Sequence, residues 1–183
     1  CHDNHTLWDK INSSAGSESL ANRIKMNKLA AGMIYTSQGV PFMLSGEEIL
    51  RTKPAVGGGF DHNSYKSPDS TNSVKWDVLN DATYQDVHDY YQGLIAFRNA
   101  HASLRMTTTA QIQNNLSFLN TGSANTVGFV INNKPNGEVS DKVCVIYNAN
   151  KYAVTVSVPY GTWNVCVKNG KAGTDAIMTF TGS

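Results

Sequence analysis

The sequence has no long apolar run and no excess charge of either sign. No apolar stretch approaches the roughly 20 residues that a membrane-spanning helix needs, so we expect no membrane partner. Lysine and arginine together number 15, against 14 aspartates and glutamates. This balance provides no basic surface for nucleic acid, and we expect no such partner. With 183 residues, the chain can form one or two domains with a sizeable core.

Cysteines are also few, since the chain has only Cys1, Cys144 and Cys166. An odd, scattered set is a poor disulfide framework, and its spacing fits no metal site. Three free thiols are the simplest interpretation, while a Cys144–Cys166 bridge between neighbouring strands stays open. The compartment is therefore undecided, with a secreted or cell-surface location slightly favoured over a cytoplasmic one.

Two helices are predicted in the first hundred residues. The face of the first helix has three-and-four spacing and comprises Met26, Leu29, Ala30, Met33 and Ile34. Ser17 and Ser19 are its candidate caps. The second helix is predicted to begin near Thr83, because Thr83 and Asp86 have capping-box spacing. Its apolar face comprises Val87, Tyr90, Tyr91, Leu94 and Phe97.

A strand and a long loop are predicted between these helices. Residues 40–44 form a short apolar run, typical of a parallel strand that is buried on both faces. Residues 46–82 are rich in Gly, Ser, Asn, Asp and Pro and show no periodicity. They also contain Phe60, Tyr65 and Trp76, so we expect an ordered functional loop. Loops that follow barrel strands build the active sites of α/β barrels.

From about residue 102 the pattern becomes all-β. Seven short strands are predicted, at 109–113, 116–120, 126–132, 142–148, 152–158, 162–167 and 175–180. Turn residues separate them, as in an antiparallel β-sandwich. We therefore expect two domains, residues 1–101 of α/β class and residues 102–183 of all-β class.

The densest polar cluster lies at residues 2–9. His2, Asp3 and His5 could bind a metal, but neither a helix that aligns them nor a fourth ligand is evident. A solvated polar terminus is a second interpretation. The third is part of a sugar site, because a carboxylate beside a histidine can bind sugar hydroxyls and stabilise positive charge at carbon. The residues alone leave these alternatives open.

A family resemblance favours the sugar site. The motifs that carry it are His2-Asp3-Asn4 with Leu7-Trp8-Asp9, residues 36–42, Ser45–Glu48, and a loop pattern over residues 51–76. In combination they resemble the type I pullulanases of the α-amylase superfamily (glycoside hydrolase family 13), almost continuously over residues 2–101. The first motif resembles the last conserved region of that superfamily, and residues 36–42 resemble its eighth barrel strand.

The resemblance implies an eight-stranded (β/α)8 TIM barrel followed by a β-sandwich, and hydrolysis of α-1,6-glucosidic linkages with retention of configuration. Asp3 matches the carboxylate that stabilises the transition state, and His2 matches a histidine that binds the same sugar. Asp61, Asn63 and Tyr65 match positions that line sugar subsites. No cofactor or metal is implied, and the expected partner is an α-glucan.

The resemblance also implies that the chain is only a C-terminal portion. The family's nucleophile and general acid come from earlier barrel strands, so we expect them on a missing N-terminal part and expect the isolated chain to be inactive. Glu47 and Glu48 match structural positions. Trp8 and Trp76 are interpreted as buried packing residues. Tyr152, Tyr160 and Trp163 are interpreted as sandwich core residues, with a glycan-stacking platform as the alternative.

Rival functions remain at this point. An isoamylase or a branching enzyme is the rival of the same class, and the pullulanase-like loop at residues 51–76 argues against it. A non-catalytic carbohydrate-binding fragment and a purely structural fragment are the rivals of other classes.

Overall fold

The structure, a computed structural model, describes residues 4–182 of the chain. These residues form two compact units. Unit 1 comprises residues 4–30 and 42–91, and unit 2 comprises residues 31–41 and 92–182. The domain boundary that the sequence predicts near residue 101 stays a prediction. Among residues 4–182, no helix is both long enough and apolar enough to cross a membrane.

Residues 4–182 contain five α-helices: α1 (Leu7–Ser14), α2 (Leu20–Thr36), α3 (Asp69–Asn72), α4 (Ala82–Ala100) and α5 (Thr109–Asn115). Short 3-10 turns lie at Glu47–Ile49, Ser64–Lys66, Trp76–Asn80, Ala102–Arg105 and Pro135–Gly137. The predicted long loop is therefore ordered by short helical turns, and its functional role stays a prediction.

The start of α2 is predicted correctly, but its buried face is not. Ser19 Oγ accepts from the backbone nitrogen of Asn22 at 3.2 Å, which is an N-cap contact. Met33 and Ile34, predicted to be buried, are exposed by 37% and 46%.

The buried positions of α2 include Asn27 and Lys28 instead. Both polar side chains have partners in unit 1, since Lys28 Nζ lies 2.7 Å from Asp86 Oδ2 and Asn27 Oδ1 accepts from the Tyr91 hydroxyl. Polar side chains can be buried when they are hydrogen-bonded, and sequence periodicity does not reveal such partners.

The predicted apolar face of α4 is confirmed, since all five of its residues are at most 9% exposed. Its cap is Asp81 rather than Thr83, because Asp81 Oδ1 accepts from the backbone nitrogen of Thr83 at 2.7 Å. Within unit 2, the buried guanidinium of Arg98 donates to the carbonyls of Tyr35 and Ser37. These contacts satisfy carbonyls at the C-terminal end of α2, where a cation is favourable.

The parallel strand predicted at residues 40–44 is absent. This segment is irregular, and Val40 and Phe42 are exposed by 94% and 68%. A parallel strand takes its backbone hydrogen bonds from neighbouring strands. Within residues 4–182, no strand pairs with this segment, so it forms no ladder.

Unit 2 contains three small antiparallel sheets. Strands β1 (Leu116–Phe118), β2 (Thr126–Ile131) and β3 (Val143–Asn148) form the first, in that order. The second pairs β4 (Gly161–Val165) with β7 (Met178–Gly182), and the third pairs β5 (Val167–Lys168) with β6 (Lys171–Ala172). In register, Ile131 pairs with both Leu116 and Val143.

The core of unit 2 lies against the first sheet. It comprises Phe97, Leu104, Met106, Phe129, Ile131, Val143 and Val145, all at most 9% exposed. Alternate residues of β3 contribute to it, as the two-residue period of a strand requires.

Two of the seven predicted strands are wrong. Residues 109–113 lie in α5, because Thr108 caps this helix through a bond from the backbone nitrogen of Gln111 at 3.2 Å. Residues 152–158 keep alternating exposure but have no paired partner within the described part of the chain. The other five runs contain or overlap strands.

Cys144 and Cys166 are both free thiols, so the bridge that the sequence left open is not formed. Burial raises the pKa of Cys144 to about 11. Burial also raises the pKa of Cys166, and the charge of Asp175 acts in the same direction. Cys1 lies outside the described residues.

Candidate functional site

The candidate site in unit 1 begins with the fixed position of α1. Thr6 caps this helix, and its Oγ1 accepts from the backbone nitrogen of Asp9 at 3.0 Å. The Asp9 side chain is fully buried and accepts from Thr52 Oγ1 at 2.5 Å and from the backbone nitrogen of Lys53 at 2.8 Å. A buried carboxylate with two donors is well satisfied, so α1 and residues 52–53 are fixed to each other.

Asp61 lies at the end of the loop that follows residues 52–53. Its backbone nitrogen donates to the carbonyl of Lys53 at 2.8 Å, and an isolated bridge joins Pro54 to Phe60. Residues 53–61 therefore form a narrow, closed loop. Because Asp9 binds one end of this loop, the position of Asp61 depends on a carboxylate far away in the sequence.

The Asp61 carboxylate is ionised and has a fixed orientation. It accepts from Ser67 Oγ at 2.5 Å and from the backbone nitrogen of Asn63 at 2.9 Å. The Ser67 hydroxyl, then the Asn63 N–H, lower the pKa of Asp61, and the charge of Lys53 acts in the same direction. A carboxylate has about four acceptor positions, so two remain for a ligand's hydroxyl groups.

Tyr65 lies close in sequence, on the 3-10 turn Ser64–Lys66, with 65% of its surface exposed. Asn72 holds this turn, because its Nδ2 donates to the carbonyls of Ser64 at 2.6 Å and of Ser67 at 2.9 Å. Lys66 Nζ lies 5.2 Å from the centre of the Tyr65 ring. A fixed backbone therefore presents an exposed aromatic ring, which suits stacking against an apolar ring face.

The N-terminal segment contacts the same loop. The backbone nitrogen of Asn4 donates to the carbonyl of His62 at 2.7 Å. The His5 ring packs edge-on against the rings of His62 and Phe60, with centroids 6.1 and 6.3 Å apart. Two segments more than fifty residues apart in sequence thus meet at the loop that carries Asp61.

Comparisons with known proteins identify similar chains. The family described as "Pullulanase, all-beta domain" matches residues 112–171. A solved pullulanase from Bacillus acidopullulyticus superimposes on 99% of the chain with a TM-score of 0.91 and 42% sequence identity. This chain matches the C-terminal portion of a pullulanase.

Other pullulanases extend the likeness. The curated pullulanase of Bacillus subtilis is 42% identical over 118 residues, which cover 64% of this chain. A pullulanase from Paenibacillus barengoltzii, solved in complex with maltohexaose and α-cyclodextrin, matches 90% of the chain with a TM-score of 0.80 and 38% identity. The chain spans 16% of the B. subtilis protein, 21% of the B. acidopullulyticus chain and 25% of the P. barengoltzii chain.

Of the residues that the pullulanase resemblance assigns to a sugar site, three lie on one loop, and the site itself stays a prediction. Asp61 and Asn63 share a hydrogen bond, and Tyr65 lies within the same anchored loop. His2 and Asp3 lie outside the described residues. Asn4, which follows Asp3 in the sequence, is described and binds the carbonyl of His62.

Glu47 and Glu48 lie on the turn after residues 40–44. Glu48 accepts from the backbone nitrogen of Gly46 at 2.9 Å, which is a local structural contact. Burial raises the pKa of Glu47, and repulsion by Glu48 acts in the same direction. Trp76 is 54% exposed, so its interpretation as a buried packing residue is wrong.

Sequence reasoning missed three residues that shape the site: Asp9, Lys53 and Ser67. The Thr6–Asp9 spacing matches a helix-capping pattern, and this signal could have placed Asp9 at the start of α1. Asp61 and Asn63 have the spacing of an Asx turn, which could have predicted their bond. The contacts of Asp9 with Thr52 and Lys53 have no local sequence signal.

Proposed function

We propose that this chain is the C-terminal portion of a debranching glycoside hydrolase that cleaves α-1,6-glucosidic linkages in pullulan, starch or glycogen-derived dextrins, with retention of configuration. The similarity to pullulanases supports the reaction class. In this proposal, residues 1–101 complete a TIM barrel and residues 102–183 form a β-sandwich. The nucleophile and the general acid come from the part of the enzyme that precedes this chain.

One observation carries the proposal for the site. Asn4, the residue after Asp3, binds the carbonyl of His62 at 2.7 Å, and His62 follows Asp61 directly. This contact joins the N-terminal segment to the loop that carries Asp61, and it supports a site built from both segments. In the proposed fold of the intact enzyme, the missing barrel strands supply a strand partner for residues 40–44, and segments that follow neighbouring barrel strands meet at one face of the barrel.

Asp3 and His2 act at the sugar whose bond is cleaved. In a retaining glycosidase the transition state resembles an oxocarbenium ion, with positive charge at the ring. The Asp3 carboxylate stabilises that charge and binds ring hydroxyls, and His2 donates a hydrogen bond to the same sugar. Asp3 lowers the barrier because its interaction is stronger in the transition state than with the substrate.

Asp61, Asn63 and Tyr65 bind neighbouring sugars. The lowered pKa of Asp61 favours its ionised form, whose free acceptor positions can bind paired hydroxyl groups. The Asn63 amide offers both a donor and an acceptor. The exposed Tyr65 ring stacks on the apolar face of a glucose ring.

Kinetics of the intact enzyme with single substitutions test these roles. Tyr65→Ala should raise KM for pullulan about five- to tenfold and change kcat much less, because stacking binds substrate and transition state alike. Asp61→Asn should raise KM in the same way. Asp69→Asn, an exposed acidic position on the neighbouring helix α3, is the control. Unchanged KM in both site variants would refute the proposed subsites.

A further inference from the structure

A cavity lies within unit 2, lined by residues that the candidate site does not use. Its volume is about 520 Å³. Aromatic side chains from α4 and β4 line it, together with hydroxyl, amide and charged groups from β4 and from the segment before β3. Small-molecule sites typically measure about 300–1,000 Å³ and combine aromatic walls with a few polar groups.

One wall of the cavity is an oriented imidazole. His101 lines the cavity, and its Nδ1 lies 3.2 Å from Glu138 Oε1, a carboxylate that is 1% exposed. The Phe97 ring lies 4.3 Å from the imidazole ring, centre to centre. Because a carboxylate only accepts hydrogen bonds, it keeps the proton on Nδ1. In the neutral imidazole, the other nitrogen, Nε2, is then an acceptor that can bind a ligand hydroxyl.

The aromatic residues of β4 and its leading turn form another wall. Trp163 Nε1 donates to the carbonyl of Pro159 at 2.9 Å, which fixes the plane of the indole. Tyr160 lines the cavity and is 83% exposed. Tyr152 is 65% exposed and does not line it. The interpretation of these tyrosines as core residues is therefore wrong.

The charges around the cavity favour a neutral ligand. Asp141 and Lys142 both line it, and their charges are opposite. Asp141 also pairs with Lys134 at 2.7 Å. A cavity without net charge, with aromatic faces and hydroxyl-binding groups, suits the alternating apolar and polar surfaces of a sugar.

We propose that this cavity binds a short α-1,4-linked glucan chain, independently of the candidate active site. The choice of an α-glucan rests on the proposed function, since a pullulanase with 38% identity was solved with maltohexaose and α-cyclodextrin. Tyr160 and Trp163 stack on glucose rings, and His101 accepts from a hydroxyl group. Such a site would bind a substrate chain at a second place on the same protein.

Indole NMR signals of the 183-residue chain test this proposal. The three tryptophans give three indole N–H peaks, which single Trp→Phe variants assign. Titration with maltotetraose should shift the Trp163 peak saturably. Tyr160→Ala should weaken this binding about five- to tenfold, the factor expected for loss of one stacking face. Tyr152→Ala is the same substitution at an exposed position outside the cavity, and it should leave maltotetraose binding unchanged.

A second pair of measurements separates specific from unspecific binding. Cellotetraose has the same number of glucose units but a flatter β-1,4 chain, and it should not shift the Trp163 peak. His101→Gln should also weaken maltotetraose binding. Tyr160→Ala is the safer test of the two, because Tyr160 is exposed and its loss should not disturb folding. An unmoved Trp163 peak, or equal effects of Tyr152→Ala and Tyr160→Ala, would overturn the proposal, as would equal binding of cellotetraose.

A further variant separates failure of the cavity proposal from failure of the proposed function. A chain that carries both Asp61→Asn and Tyr65→Ala lacks the candidate subsites in unit 1. The Trp163 shift should persist in this double variant with unchanged affinity. Its loss there would assign maltotetraose binding to the unit 1 site and refute the cavity as an independent site.

Discussion

The Asp9 carboxylate accepts a hydrogen bond from the backbone nitrogen of Lys53 at 2.8 Å, across 44 positions of the sequence. Lys53 in turn accepts from the backbone nitrogen of Asp61 through its carbonyl. Asp9 thus connects α1 to the loop that carries the candidate subsites. Asp9 and Lys53 are both buried from solvent.

Asp9→Asn should destabilise the chain by about 1–3 kcal/mol. One amide oxygen can still accept from Thr52, but the amide NH2 then faces the N–H of Lys53, leaving a buried donor without an acceptor. Urea unfolding at neutral pH measures the change. Asp89→Asn is the control, since that side chain is 60% exposed on α4. Equal stability of the two variants would show that the Asp9 contacts contribute nothing.

Gly93→Ala should also be destabilising, although alanine is favoured over glycine in helices by about 1 kcal/mol. A Cβ at this position in α4 would lie 2.1 Å from the carbonyl oxygen of Ala172 in unit 2. Backbone must then move, which typically costs about 1–3 kcal/mol. Gln92→Ala, at the exposed neighbouring position, lacks this clash. A melting temperature for Gly93→Ala at or above that of the unsubstituted chain would contradict the close approach.

The regular elements with strong local signals were the most predictable from the sequence. The α4 face has five apolar residues at helical spacing, and all five are buried. The helix α5 was missed because its capping signal, Thr108 followed by Gln111, competed with a run that was interpreted as a strand. In such short segments, caps decide the structure more than apolar pattern does.

Pairing between distant segments could not be predicted. The run at residues 40–44 has strand character, but a strand exists only where a partner supplies its hydrogen bonds. In the candidate site, Asp61 and Asn63 came from the family resemblance, whereas the roles of Asp9 and Ser67 depend on contacts that only the fold creates. The family resemblance therefore identified the proposed subsite residues, whereas no local sequence signal identified the residues that hold their loop in place.

Glu138 should make the stability of unit 2 depend on pH in the acid range. Burial alone would raise its pKa, but the N–H groups of Ser140 and Ser103, the Ser103 hydroxyl and His101 outweigh this and lower it to about 2. A carboxylate whose pKa is lowered in the folded state stabilises that state at pH values above its ordinary pKa of 4.5. This contribution is lost as the pH falls toward 2.

The size of this contribution is about 3 kcal/mol. Urea unfolding between pH 2 and pH 6 should show it as a steep loss of stability below pH 4.5. Glu138→Gln should be less stable at pH 6 and have a flatter pH dependence, whereas Asp175→Asn, at an exposed position in the same unit, should keep the steep profile. Parallel profiles for the chain and Glu138→Gln would refute this role.

The isolated 183-residue chain should not hydrolyse pullulan. A retaining mechanism requires a nucleophile and a general acid, and the proposed function places both outside this chain. Incubation of the purified chain with pullulan, followed by measurement of reducing ends, checks this. Activity above a heat-killed control, in a preparation free of longer enzyme, would show that a catalytic pair lies within these residues.

In the intact enzyme, Asp3→Asn should reduce kcat about 10²–10³-fold, as expected for one lost electrostatic contact in the transition state. Asparagine has nearly the same shape and still binds hydroxyl groups, so KM should change much less than kcat. This split separates a charge that acts in the transition state from one that only binds substrate. Asp69→Asn serves as the control, because it removes an exposed charge without touching the site. If Asp3→Asn kept half of the original kcat, Asp3 would not be the stabilising carboxylate.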